Sequence, residues 1–517
     1  MRSISQLAAL AISLLLVLPL GMLGYQAADL SHSGEHWRHL LDTWLGEALL
    51  NTLLLTLLSG FGAALLGTSL AWLTVSYRFA GGRLLAWLLI LPLALPPYVV
   101  AMLLTWWGDS SGTLHVWLRE LGWVNHWADI RTLPVLAALF ALLFFPYVFL
   151  LARASFQRQG LQAFEAARLL GLSPLKAFFR VVLPIARPSI VAGTALVMME
   201  TLADYGASSL FSVPTLTQAI YRSWFNLGDW ALAAQLAIAL IGAVALVLVL
   251  VQPQQSTAAA AQTRQSAQAK PAQLALSRWL MSGFAWLVFV LSFALPLSLL
   301  LWQSLLADTG HWQGQQLFDW FTHSLSLALA SAVLASLLAL WLGWQQYRYP
   351  HQFSSWLPLR LLSLGYGIPG TALAVAILLT WQGLALQAGV MALVFAYLVR
   401  FMSLSVQSTQ AGLAQLSPRL LEAAQLHGYR PMQQHRRITL PLLSPHLLAG
   451  ALMVAIEVLK ELPATLMLRP FNFDTLAIIA YQYAQDERIP EAANAALLIV
   501  VASLLGLVLV KWLEKRG

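Results

Sequence analysis

Apolar runs of about 20 residues recur along the whole chain, separated by shorter polar stretches. A run of this length is what an α-helix needs to cross a hydrocarbon layer of roughly 30 Å. Helices are expected because an open strand edge would leave unpaired backbone groups in lipid. The pattern therefore predicts an all-α integral membrane protein of about twelve spans, at 7–28, 48–76, 84–107, 132–152, 189–211, 231–251, 280–306, 324–344, 359–381, 387–407, 446–468 and 493–513.

Composition agrees with this pattern, since 59% of the 517 residues are hydrophobic and only 10% are charged. The first apolar run is longer than the roughly 7–15-residue core of a secretory signal. We therefore expect it to be retained as the first span. The chain has no cysteine, which excludes disulfides, thiolate zinc sites and cysteine nucleophiles.

The distribution of positive charge predicts the orientation. With twelve spans and the N-terminus inside, 22 Lys and Arg residues, Arg400 among them, fall on one side and 7 on the other. Cytoplasmic loops carry such an excess. Both termini and two polar inserts, 153–188 and 408–445, are therefore predicted to be cytoplasmic. The net charge of +8 suits an anionic lipid surface, and we expect no nucleic-acid partner.

The chain divides into two similar halves. Residues 253–279 are rich in Ala, Gln and Ser and predict a flexible cytoplasmic linker between halves 1–252 and 280–517. Residues 165–193 and 422–450 are identical at 12 of 29 positions. The order of spans is the same in both halves, so the repeat is parallel, as in transporters whose pathway lies between two repeats.

Each polar insert contains Glu-Ala-Ala, three residues, Gly, nine residues, an aliphatic residue, one residue and Leu-Pro. This spacing predicts a short helix, a glycine turn and a second short basic helix that ends before the next span. Such a protrusion would fit a cleft on a partner; an interfacial amphipathic loop is the alternative. The pattern residues are Glu165, Ala166, Ala167, Gly171 and Pro184, and Glu422, Ala423, Ala424, Gly428 and Pro441.

The pattern resembles the EAA loop of permease subunits in bacterial type I ABC importers. In that family each loop docks into a groove on one ATPase subunit, which would make the pattern residues coupling residues. The resemblance implies the type I permease fold, two ATPase copies and a periplasmic substrate-binding protein. The fused halves and segments 200–237 and 460–493 resemble ferric-iron permeases, whereas related fused permeases carry thiamine, phosphonates or other solutes.

The chain lacks a G-x-x-x-x-G-K-[ST] phosphate loop and has no Gly-Lys dipeptide. ATP and Mg²⁺ are therefore expected to be used by a separate ATPase, and this chain is predicted to be a transport subunit without its own cofactor or catalytic residue. An ion-gradient-driven secondary transporter is the rival interpretation, because such proteins also use parallel repeats. The paired EAA loops would have no role in it.

Ionisable residues within the spans form two groups, one in each half. They are Glu200 and Asp204 in the first half, and Glu457, Lys460 and Glu461 in the second. The matching acids of the two groups are 257 residues apart in the sequence. Acids four apart share a helical face, and intramembrane acids normally face a bundle interior or an aqueous path. We expect them to line the gate between the halves, where carboxylates suit a hard cation such as Fe³⁺. The alternatives are packing groups, with Lys460 neutralising Glu457, or acids that reach the outer water.

Overall fold

The computed structural model describes residues 2–29, 34–77, 79, 81–110, 112–122, 129–260, 278–306, 314–386 and 389–514. Within these ranges the ordered elements are helices and no strand occurs. The first half contains Arg2–Ala27, Gly34–Leu40, Leu41–Leu45, Gly46–Ser76, Gly82–Leu88, Leu91–Ala94, Pro97–Gly108, Thr113–Glu120, Leu133–Ser155, Phe156–Gly160, Leu161–Leu169, Pro174–Ala177, Phe178–Val182, Leu183–Ala203, Gly206–Leu210, Leu216–Phe225 and Trp230–Ala260. The second contains Arg278–Phe289, Val290–Ala294, Leu295–Leu306, Gly314–Arg348, Phe353–Gly365, Gly370–Gly383, Val390–Gln415, Pro418–Leu426, Pro431–Gln434, His435–Thr439, Leu440–Lys460, Pro463–Leu468, Leu476–Gln485 and Ile489–Glu514.

The described residues contain ten helices that are long and apolar enough to cross a membrane, and two bent pairs raise the number to twelve. The bent pairs are the third span of each half, at Gly82–Ala94 with Pro97–Glu120 and at Phe353–Gly365 with Gly370–Gly383. The two helices of each pair are bent by 89° and 119° relative to each other. The prediction of continuous spans at 84–107 and 359–381 is therefore wrong. Each bend lies at proline, which lacks the N–H that would continue the helix.

The fifth span of each half also differs from the expectation. The helices end at Ala203 and Lys460, and short helices Gly206–Leu210 and Pro463–Leu468 follow. The predicted spans 189–211 and 446–468 therefore combine a long helix with a separate short one. Hydropathy does not detect these breaks because both segments remain mostly apolar around the charged residues. Gly206 and Pro463, just after the breaks, were the available sequence signals.

The helix expected to end near residue 252 continues to Ala260, into the region predicted as linker. The rest of that region, residues 261–277, lies outside the described residues. The first span, Leu7–Ala27, is helical and packs inside the protein through Ala9 and Leu23, both nearly inaccessible to solvent.

The two halves interlock. One buried apolar cluster combines spans two to five of the first half with the seventh and twelfth spans. The other combines spans eight to eleven with the first and sixth spans. Each half thus contributes its first and last spans to the core of the other, and both clusters cross the boundary between the halves.

The sequence predicted that each polar insert forms two isolated short helices, and this prediction is wrong. In the first half Leu133–Leu169 forms one helix through the fourth span and the Glu-Ala-Ala segment, and Pro174–Ala203 forms another through the fifth span. In the second half the fourth-span helix ends at Gln415, Pro418–Leu426 follows separately, and Met432–Lys460 is continuous.

A π-helical turn explains how the helices pass through Pro184 and Pro441. The turns Phe178–Val182 and His435–Thr439 immediately precede the Leu-Pro pairs. At the end of each turn the backbone N–H of Leu183 or Leu440 donates to the carbonyl five residues before it. A wider turn relieves the clash of a proline ring with the preceding turn, so the Leu-Pro pair does not end the helix.

Gly171 and Gly428 form the turns that the sequence predicted. Both have positive φ, +86° and +78°. The backbone N–H of the following residue, Leu172 or Tyr429, donates to the carbonyl of Ala167 or Ala424, five residues earlier. The distance is 3.1 Å in both halves. This is the Schellman helix end, which favours glycine because the left-handed conformation places a Cβ unfavourably.

A tryptophan on the second span braces each insert. The Trp72 ring lies 5.3, 5.2 and 5.1 Å from the rings of Phe156, Phe164 and Phe178. In the second half Trp344 lies 5.2 Å from His435, which occupies the position equivalent to Phe178. Each insert is therefore fixed to the second span as well as to the fifth.

We predict that Gly171→Ala and Gly428→Ala each destabilise the local turn by about 1 kcal/mol, because alanine is strained at positive φ although no atom lies within 4 Å of the new Cβ. Hydrogen–deuterium exchange should show the closing amides of Leu172 and Tyr429 exchanging roughly five times faster.

Gly283→Ala is the control, since this glycine lies in a helix and also has open space around it. Exchange at Leu172 and Tyr429 that remains at the unmodified rate in both turn variants would contradict the assignment.

Candidate functional site

A cavity of about 80 Å³ lies between the two halves. It is enclosed by the ends of both fifth spans, the bend of the first half's third span, and the fourth spans. All five intramembrane residues that the sequence singled out line it, namely Glu200, Asp204, Glu457, Lys460 and Glu461. Other lining residues are Tyr98, Phe144, Tyr147, Arg400 and Phe401.

Glu461 is the most enclosed of the four acids, with a side chain 1% exposed. It accepts a hydrogen bond from Arg400 Nη1 at 3.0 Å. It also accepts from the backbone N–H groups of Ala464 and Thr465, at 2.8 and 2.9 Å. Its carboxylate therefore caps the short helix Pro463–Leu468 and neutralises a buried guanidinium at the same time.

Asp204 has the equivalent capping position in the first half. The backbone N–H of Ser208 donates to Asp204 Oδ1 at 3.0 Å, and that of Ala207 donates to Oδ2 at 3.4 Å. Asp204 and Glu461 have extended backbones just after the helix ends. The expectation that each pair of acids shares one helical face is therefore wrong, although both members still reach the same cavity.

Glu200 lies in the last turn before Ala203 and accepts a hydrogen bond from the Tyr366 hydroxyl at 2.6 Å. Its counterpart Glu457 pairs with Lys460, whose Nζ is 2.9 Å from Glu457 Oε1. The same ammonium donates to the backbone carbonyl of Leu93 at 3.1 Å. The predicted Lys460–Glu457 neutralisation is therefore present, and it occurs inside the cavity wall.

The cavity is electrostatically asymmetric. Four carboxyl groups line it, and both lining cations, Arg400 and Lys460, belong to the second half. The equivalent first-half positions hold Leu143 and Ala203, which carry no charge. Among the described residues, no Arg or Lys forms a salt bridge with Glu200 or Asp204. In the part of the chain that the structure describes, the lining carboxyl groups without a paired cation are therefore Glu200 and Asp204 of the first half.

Sequence reasoning missed three residues of this site. Arg400 was counted with the cytoplasmic charges, but it is 9% exposed and lies within the tenth span, so that assignment is wrong. Its presence inside the predicted span 387–407 was the available signal. Tyr98 and Tyr366 are uncharged and gave none. The hydroxyl of Tyr98 lacks a hydrogen-bond partner among the described residues, and the side chain faces the cavity.

The lining offers carboxylate and phenol oxygens, which are donors that hard cations prefer. Within the described part of the chain, no group of three or more His, Asp or Glu side chains is arranged to hold a metal ion. The carboxylates already have internal hydrogen-bond donors, such as Tyr366 for Glu200 and Arg400 for Glu461.

The second set of predicted residues lies on the polar inserts. Glu165, Ala166, Glu422 and Ala423 are exposed, whereas Ala167 and Ala424 are buried at 4% and 5%. Leu169 and Leu426, at equivalent positions before the glycines, are each 89% exposed and were missed from the sequence. Each insert thus presents a carboxylate and a large apolar side chain outward at equivalent positions.

We predict that Arg400→Met destabilises the protein by about 3–5 kcal/mol, because it leaves the Glu461 carboxylate buried without its cation. Thermal unfolding in detergent measures the effect. Adding Glu461→Gln should restore part of the loss.

Leu143→Met is the matched control at the equivalent first-half position, where a swap of similar volume should cost less than about 1.5 kcal/mol. An Arg400→Met loss no larger than that of the control would contradict the role of this pair.

Comparison with known proteins agrees with this geometry. The family of binding-protein-dependent transport system inner membrane components matches residues 63–254 and 333–516, once in each half. The chain is 26% identical over 466 residues to the Fe(3+)-transport system permease protein FbpB 2 of Haemophilus influenzae, covering 89% of this chain and 88% of that protein.

Two relatives from Escherichia coli match a single half. The sulfate transport system permease protein CysT is 31% identical over 201 residues, which is 38% of this chain and 70% of CysT. The spermidine/putrescine transport system permease protein PotB is 27% identical over 220 residues, which is 41% of this chain and 79% of PotB. The chain is a multi-pass inner-membrane transport subunit with two fused permease halves, and it belongs to the binding-protein-dependent transport system inner membrane component family.

Proposed function

We propose that this chain is the permease through which an ABC importer moves ferric iron, delivered by a periplasmic binding protein, across the inner membrane. The observation that carries the proposal is the cavity between the halves, where four carboxyl groups exceed two cations. The similarity to a ferric-iron permease over 89% of the chain supports the same cargo.

The charge of the cavity argues against an anionic cargo. A sulfate or phosphonate would have to pass Glu200 and Asp204, which have no cationic partner among the described residues. Organic cations such as thiamine or a polyamine share the favourable sign of charge. The cavity of about 80 Å³ has room for a few waters or a partly hydrated ion and is small for these molecules.

We assign two copies of one ATPase to the two polar inserts, one copy to each. The inserts present equivalent residues, Glu165 with Leu169 and Glu422 with Leu426, all of them exposed. The ATPase would hydrolyse ATP with Mg²⁺, and both termini of this chain would lie on the same cytoplasmic side as the inserts. The rival secondary transporter gives no role to these two docking surfaces.

The continuous helices provide a route from the ATPase to the cargo path. The helix Pro174–Ala203 begins in the insert and has Glu200 in its last turn. At 1.5 Å per residue its 30 residues span about 45 Å. Met432–Lys460 connects the second insert to Glu457 in the same way. A rigid-body shift of either insert would therefore move an acid of the cavity, which is how nucleotide-driven closure would alternate access.

We predict that Glu200→Gln lowers uptake of ⁵⁵Fe³⁺ into proteoliposomes by at least about tenfold, because the first half loses an unpaired carboxylate in the path. Glu457→Gln should also lower uptake, since Lys460 is then an unneutralised cation there. ATP hydrolysis by the assembled complex checks that the variants remain coupled.

The control is Glu491→Gln, which alters a carboxyl group paired with Arg488 away from the cavity. Uptake at the unmodified rate in both cavity variants would remove the pathway assignment. Competing uptake of spermidine, thiamine and sulfate tests the cargo in the same vesicles.

We also predict that Leu169→Asp and Leu426→Asp each reduce the ATPase recovered with the purified permease from two copies to about one, because a charge replaces the exposed apolar contact. Native mass spectrometry measures the stoichiometry.

Phe471→Asp is the comparison variant, as Phe471 is 94% exposed in the loop between helices Pro463–Leu468 and Leu476–Gln485, far in sequence from both inserts. It should retain both copies. Two ATPase copies on the Leu169 and Leu426 variants would contradict this docking assignment.

A further inference from the structure

Two hydrogen bonds join the halves at equivalent positions of the repeat. The Tyr366 hydroxyl of the second half donates to Glu200 Oε1 of the first at 2.6 Å. Lys460 Nζ of the second half donates to the carbonyl of Leu93 of the first at 3.1 Å. Tyr366 and Leu93 both lie three residues before the proline at the bend of a third span, Pro369 and Pro96.

Both contacts therefore connect the bend of one half's third span with the acidic end of the other half's fifth span. In one direction the bend supplies the donor, Tyr366, and the fifth-span acid accepts directly. In the other the fifth span supplies the donor, Lys460, which its own acid Glu457 holds in place at 2.9 Å. The two contacts therefore join equivalent elements of the repeat, although their donors and acceptors differ.

The Leu93 carbonyl is available for this contact because of the local sequence. In a continuous helix it would accept from the residue three or four positions later, and these are Pro96 and Pro97. Neither has an N–H group. A carbonyl left without a donor away from water costs free energy, so Lys460 satisfies a group that the proline pair has freed.

A cation that enters the cavity acts on both contacts. It attracts the Glu200 carboxylate more strongly than the neutral Tyr366 hydroxyl does, because a full charge interacts more strongly than a hydroxyl dipole. It also repels the ammonium of Lys460, which lines the same cavity. The same event therefore weakens both the Tyr366–Glu200 and the Lys460–Leu93 hydrogen bond.

We propose that the Tyr366–Glu200 and Lys460–Leu93 hydrogen bonds form a latch between the two halves at the cavity, and that a cationic cargo releases it. This inference rests on the cation-import function proposed above. It adds that the permease itself detects the cargo, and that Tyr366 and Lys460 are positioning residues which act through Glu200 and the third-span bend. ATP hydrolysis without cargo is then suppressed by the closed latch.

The test uses the full complex of permease and ATPase in lipid nanodiscs, without binding protein or cargo. Tyr366→Phe removes the donor and keeps the ring, and Lys460→Met keeps the chain length without the charge. Each should raise basal ATP hydrolysis about threefold or more, and the double variant should exceed either. Thr380→Val is the control, since the buried Thr380 hydroxyl donates within its own helix to the carbonyl of Ala376 and lies in neither the cavity lining nor a polar insert.

A second measurement tests release by the cation. Gallium(III) nitrilotriacetate, a redox-inert ferric substitute, should raise basal hydrolysis in the unmodified complex and have little further effect in Tyr366→Phe. Basal rates equal to the control in both latch variants, or an undiminished gallium response in Tyr366→Phe, would overturn the proposal.

The outcome is separate from that of the proposed function. Failure of an iron-loaded binding protein to stimulate the unmodified complex would refute iron import, whereas the latch is tested without binding protein, by the basal rates of the variants and by their gallium response. If Tyr366→Phe does not assemble with the ATPase, Lys460→Met alone decides whether the latch exists.

Discussion

The hydrocarbon core offers no hydrogen-bonding partner, so every helix break at membrane depth has to satisfy its own polar groups. This protein breaks both fifth spans and both third spans, and the breaks meet at one place. Asp204 and Glu461 cap the short helices that follow the fifth-span breaks. Lys460 satisfies the Leu93 carbonyl at a third-span bend. Three of these four interruptions line the central cavity, and its polar lining consists largely of the groups that make the interruptions tolerable.

The same helices are uninterrupted between the polar inserts and the cavity. From each polar insert to the acidic end of the fifth span, the backbone remains helical through a Leu-Pro pair, and a π-helical turn accommodates the proline. Trp72 and Trp344 attach each insert to the second span as well. The helices are therefore continuous between each insert and the cavity, and the breaks lie at the cavity itself, where the two halves touch. In the proposed mechanism, movement of an insert would be delivered there.

The repeat, the number of spans, the glycine turns and the identity of the central acids could be predicted from the sequence. Each depends on a periodic signal or on a charge in an apolar run, as for Glu200 and Glu457. The breaks after Ala203 and Lys460 were not predicted, because hydropathy over each segment stays high and does not report backbone direction; Gly206 and Pro463 were the only local signals of a break there. The roles of Tyr366 and Leu93 could not be predicted either. They arise from contacts between the halves, and Leu93 acts through its main-chain carbonyl. Arg400 was recognisable in the sequence as a charge within a span, but its pairing with Glu461 is evident only in the structure.

The presence of Arg400 and Lys460 in one half alone has a consequence for how such a permease can diverge. In a permease assembled from two identical subunits, any substitution appears on both sides of the central path, so two arginines and two lysines would have cancelled all four acids. Covalent fusion removes that restriction. One half is free to acquire fixed counter-ions and a rigid wall, while the other keeps its acids available. The tandem arrangement thus permits a division of labour across the pseudo-symmetry axis that a homodimer is unable to evolve.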